Sequence, residues 1–106
     1  MDLTNKEKAI VISILRQLLP SNVEIFFFGS RIDGTSRRAS DLDILLKGAT
    51  QIDLGLIAMV REKMEESNLP FKVDILDYHS CSQEMLKNIS SNIIKIVTGQ
   101  RNLSNS

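Results

Sequence analysis

The sequence predicts a small α/β domain of the mixed α+β kind, with a mixed sheet of three to four strands flanked by helices. The expected element order is α-β-(short α)-β-α-β-α. Three observations carry this. Apolar residues recur at helical spacing in three stretches, and short β-branched or aromatic runs stand between them. Gly, Pro or small polar residues punctuate the boundaries. At 106 residues the chain has room for one core, so one domain is expected over 1–99, followed by a polar flexible tail over 100–106.

The first helix is expected from Thr4 to Leu19. Thr4 and Glu7 form a capping-box pattern, and Pro20 cannot continue the helix. Its apolar residues (Ile10, Val11, Ile12, Ile14, Leu15, Leu18 and Leu19) cover more than one stripe. Such a helix either sits deep in the fold or offers a second face to another chain. Val23 to Phe28 is too short and too β-rich for a helix, and is expected as a strand buried on both faces. A polar loop, Arg31 to Ser40, leads to a second strand over Leu42–Leu46.

Thr50 with Asp53 forms another cap pattern, and Ile52, Leu56, Val60 and Met64 then recur at helical spacing to about Ser67. Phe71–Leu76 reads as the third strand after the break at Asn68-Leu69-Pro70. Ser82 is expected to cap a last helix to about Val97, with Met85, Leu86, Ile89, Ile93 and Val97 inward and Gly99 ending it. The methionines are expected as core filling.

Thirteen basic residues balance thirteen acidic ones, which weighs against a protein that grips long tracts of nucleic acid. The lone Cys81 excludes an intrachain disulfide and fits a reducing, cytoplasmic compartment. No apolar run has the length of a membrane span, and Met1-Asp2-Leu3-Thr4 lacks the layout of a signal peptide, so no membrane partner is expected.

The chemistry concentrates between Phe28-Gly29-Ser30 and Asp41-Leu42-Asp43. Alternation along a strand puts Asp41 and Asp43 on one face, where two carboxylates repel unless a cation lies between them. Hard oxygen donors of this kind suit Mg²⁺. Gly29 allows close backbone approach and Ser30 offers a hydroxyl, which together suit a phosphate. A crossover helix after the second strand makes the third strand parallel to it, and Asp74 then lands beside the acidic pair. An antiparallel first strand delivers Gly29 and Ser30 to the same end. Asp77 lies toward the far end of the third strand and ranks below Asp74 as a ligand. A lone His79 and a lone Cys81 suggest neither a metal site nor a thiol nucleophile. Tyr78 reads as a sheet-edge aromatic.

Gly29-Ser30, ten intervening residues, then Asp41-Leu42-Asp43, with Asp74 on a later apolar strand, resembles the DNA polymerase beta-like nucleotidyltransferases, specifically the minimal nucleotidyltransferase (MNT) family. The resemblance implies a nucleotidyltransferase fold in which Asp41, Asp43 and Asp74 are catalytic and hold two Mg²⁺ ions, with Asp74 also able to act as a base. It implies nucleotide contacts from Gly29, Ser30, Arg31, Arg37, Arg38 and Ser40, with ATP as substrate. Relatives often carry a second basic residue soon after Gly-Ser. Here Ile32-Asp33 follows Arg31, and Arg37 and Arg38 are the candidates to compensate.

The implied activity is transfer of AMP to a hydroxyl, a tyrosine of a helical HEPN-domain toxin, with this chain as the antitoxin. Two other classes compete with it. One is a nucleotide-binding module that neutralises its partner without turnover. The other is the catalytic subunit of a two-protein enzyme acting on a small molecule. The wide apolar helix fits a homodimer as well as a heteromer.

Overall fold

The computed structural model describes residues 3–29, 41–89 and 93–96. The expected short helix after Gly29, the loop residues Ser30, Arg31, Arg37, Arg38 and Ser40, and the polar tail lie outside the described residues. Helix α1 spans Asn5–Leu18, β1 Glu24–Phe28, β2 Leu42–Lys47, α2 Leu54–Glu66, β3 Val73–Asp77, α3 Gln83–Ile89 and β4 Ile93–Ile96. A 3-10 turn, Tyr78–Ser80, follows β3.

The strands form one mixed sheet in the order β3-β2-β1-β4. β1 runs antiparallel to both of its neighbours, while β2 and β3 are parallel and joined by the α2 crossover. Helices α1 and α2 pack against each other, with α2 also against β3. The main core lies on the sheet face toward these helices. There Ile25, Phe27, Ile44, Leu46 and Ile75 meet Val11 and Leu15 of α1 and Ile57, Val60 and Met64 of α2.

Local chemistry explains the ends of the elements. Glu7 N–H donates to Thr4 Oγ1 and Thr4 N–H to Glu7 Oε1, both at 3.0 Å, so the capping box of α1 is complete. The apolar breadth of α1 is taken up within the chain: Val11, Leu15 and Leu19 are buried, and Ile12, Ile14 and Leu18 pack beside them. The expected cap of α2 moves from Thr50 to Asp53, whose Oδ2 accepts from Leu56 N–H at 3.1 Å. The reason is long-range. Ile52 N–H donates to Asp77 Oδ2 at 2.6 Å, which ties the segment before Asp53 to the end of β3 instead of into the helix.

The last helix is the largest correction. Ser82 does cap it, its Oγ accepting from Met85 N–H at 3.1 Å, but it ends at Ile89, and Ile93–Ile96 forms a strand against β1. Ser90-Ser91-Asn92 breaks the helical run in sequence, and the β-branched Ile93, Ile94 and Ile96 suit the free edge of β1. Met85 is therefore exposed rather than inward, and Ile93 is half-buried on the sheet. Met59 is exposed as well, so of the described methionines only Met64 fills core space. β1 is fully buried on one face alone: Ile25 and Phe27 point inward, whereas Phe26 and Phe28 are half-buried on the other side. Among the described residues no helix is long and apolar enough to cross a membrane.

Candidate active site

Residues paired across neighbouring strands share a face of the sheet. Phe28 stands opposite Asp43 on β2 and Ile93 on β4, and Asp43 stands opposite Asp74 on β3. One row across the sheet therefore reads Asp74, Asp43, Phe28, Ile93, on the face away from the main core. Two strands starting in parallel from one edge bring the two carboxylates together. The antiparallel β1 then delivers Gly29 to the same edge. Asp41, exposed, lies immediately before β2.

Asp43 is half-buried, and its carboxyl is pushed up to about 6 from an ordinary value of 3.8. Burial is the main cause, followed by the charges of Asp74 and then Asp41. A group held between desolvation and two like charges is a candidate for function, because a bound cation relieves both penalties at once. Oxygen donors alone, at a sheet edge, fit a hard divalent ion such as Mg²⁺. Among the described residues, no three Asp, Glu, His or Cys side chains are already gathered as a metal cluster.

Gly29 adopts a φ of +94°, a left-handed conformation that favours glycine. Asp77 is on the opposite face from Asp74 and is 8% exposed. Its carboxylate accepts from Ile52 N–H at 2.6 Å and His79 N–H at 3.0 Å, so it is a structural clamp. The His79 ring adds a hydrogen bond from Nε2 to the Gly48 carbonyl at 2.8 Å. Sequence reasoning did not anticipate this second cluster, because its partners are backbone groups distant in the chain. Cys81 Sγ donates to the Asp77 carbonyl at 3.3 Å, and burial raises its pKa, which keeps the thiol protonated. Lys47 Nζ lies 4.4 Å from the centroid of the Tyr78 ring.

Residues 11–102 match the family described as polymerase beta, nucleotidyltransferase. A Haemophilus influenzae relative, named Probable protein adenylyltransferase MntA, is 36% identical over 84 residues, which covers 79% of this chain and 73% of that protein. A toxin–antitoxin crystal structure with AMP-PNP superposes with a TM-score of 0.71 at 27% identity, covering 83% of this chain and 70% of the other. The fold is also shared with a complex of an AMPylated HEPN toxin and an MNT antitoxin from Shewanella oneidensis. There the TM-score is 0.64 at 24% identity, over 83% of this chain and 66% of that one.

Proposed function

The chain belongs to the polymerase beta nucleotidyltransferase family as a minimal, MNT-type member, and we propose that it transfers AMP from ATP to a tyrosine hydroxyl of a helical HEPN-domain partner, acting as the antitoxin of the pair. The observation that carries the reading is the adjacency of Asp43 and Asp74 on parallel strands, with Gly29 at the same edge. The name of the Haemophilus relative and the AMP-PNP of the toxin–antitoxin structure support the nucleotide and the partner class.

In this reading Asp43 and Asp74, joined by Asp41, hold Mg²⁺ against the triphosphate. Bound there, Mg²⁺ supplies charge neutralisation at the phosphoryl oxygens and at the leaving pyrophosphate. The chain's own groups do the rest. Gly29 and Ser30 present backbone amides and a hydroxyl to the β- and γ-phosphates. Arg31, Arg37, Arg38 and Ser40 contact the nucleotide from the loop. Asp74, exposed at the sheet edge, takes the proton of the attacking hydroxyl as the oxygen approaches the α-phosphorus in line.

The test is intact-mass spectrometry of this protein together with the helical protein that co-purifies with it, before and after ATP and Mg²⁺. A gain of AMP units on the partner that disappears with Asp43→Asn supports transfer. Bound ATP with no gain on either chain overturns it and leaves a nucleotide-binding module that works by contact.

A further inference from the structure

Gly29 and Asp43 are in closer relation than a phosphate-binding turn requires. Phe28 is the residue paired with Asp43, so Gly29 is the first residue beyond the ladder, at the height of the carboxylate. A Cβ placed on Gly29 would overlap Asp43 Oδ2, with Asp43 Cγ at 3.1 Å and Asp43 Cβ at 3.3 Å. The carboxylate thus occupies the volume that a side chain at position 29 would fill. The φ of +94° turns the backbone at this point and brings the glycine against the carboxylate.

We infer that Gly29 is the positioning residue for Asp43: the missing side chain is the socket in which the carboxylate sits, facing the open side of the sheet beside Asp74. The inference rests on the reading of Asp43 as a metal ligand in nucleotidyl transfer, and it gives the glycine a task separate from phosphate approach. Any β-carbon at 29 evicts the carboxylate to another rotamer and spoils the donor geometry, even in a protein that folds. Two costs attend such a substitution. Positive φ is unfavourable for any L-residue, and overlap arises only when a carboxylate is present at 43.

A double-substitution cycle separates the two costs, using Gly29→Ala, Asp43→Ala and the pair, with thermal unfolding and Mn²⁺ titration as readouts. With Asp43 present, Gly29→Ala is expected to lower the unfolding midpoint more than it does in the Asp43→Ala background. Folded Gly29→Ala is expected to bind Mn²⁺ at least tenfold more weakly than the parent. Equal drops in the two backgrounds, with Mn²⁺ affinity unchanged, would overturn the assignment. If Gly29→Ala does not fold, the cycle is run with Gly29→Asn, which tolerates positive φ better and still carries the β-carbon: a larger drop with Asp43 present than with Asp43→Ala supports the socket, and equal drops overturn it. If Asp43→Ala binds Mn²⁺ as well as the parent, the metal-ligand reading fails. The difference between the two midpoint drops still reports on the contact.

Discussion

Asp43 and Asp74 stand side by side across the parallel strands β2 and β3, on the sheet face away from the main core. Neither contributes to the packing of α1 and α2 beneath the sheet. The main core and the carboxylates therefore lie on opposite faces, with the buried Leu45 sharing the face of Asp43, and the two sets respond differently to substitution.

Replacing either carboxylate should remove activity without unfolding the protein. Asp43→Asn or Asp74→Asn is expected to lower AMP transfer by about 10²- to 10³-fold, the usual scale for losing one group that stabilises developing charge. Circular dichroism and the unfolding transition check that the fold is retained.

The Asp43 carboxyl, raised to about 6, makes a signed prediction. A raised carboxyl favours the protonated folded state, so its contribution is present below about pH 4 and is lost as pH rises through about 6. Metal-free protein should lose stability across that window, and Asp43→Asn should not. Allowing for solvent screening of a half-buried group, the variant should be more stable than the parent by about 1–2 kcal/mol at pH 8 and equal to it near pH 4. Urea unfolding at the two pH values measures this.

Asp77 carries a different weight. Asp77→Ala leaves the N–H groups of Ile52 and His79 without their acceptors. The buried Ile52 donor, once stranded, costs about 1–3 kcal/mol and the part-buried His79 donor less, so a loss of about 2–4 kcal/mol is expected in equilibrium unfolding. The Mn²⁺ affinity of whatever remains folded should be unchanged, because Asp77 lies on the other face of the sheet.

Thr4→Ala removes one half of the α1 capping box and should cost about 1 kcal/mol, read from the shift in the urea midpoint. Transfer measured well below that midpoint should be unaffected.

Sequence pattern made the adjacency of Asp43 and Asp74 legible because strand alternation and the parallel crossover are strong constraints. Once α2 joins β2 to β3 in parallel, few registers keep both apolar faces inward. The start of α1 was legible for the same reason, being set by Thr4 and Glu7 alone. The start of α2 was not, because its neighbour Ile52 is held by Asp77, a residue 25 positions away. The last strand was hidden by a coincidence of periods. Ile89 and Ile93 fit a helical stripe, while Ile93, Ile94 and Ile96 suit a strand, and only the unpaired edge of β1 decides between them. The loop between Gly29 and Asp41 carries its signal in residue types alone.

The salt bridge from Lys95 Nζ to Glu24 Oε2, 2.8 Å long, joins β4 to β1 across 71 residues of chain. In chain order β4 is the later of the two neighbours of β1, and until it pairs Glu24-Ile25-Phe26-Phe27-Phe28 has one open, aromatic edge. Such contacts close slowly, and an edge of this composition is prone to pair with other chains in the interval. Without β4 in place the sheet has three strands and one open edge of this kind. Whatever accompanies it then, chaperone or binding partner, meets a different surface from that of the finished protein.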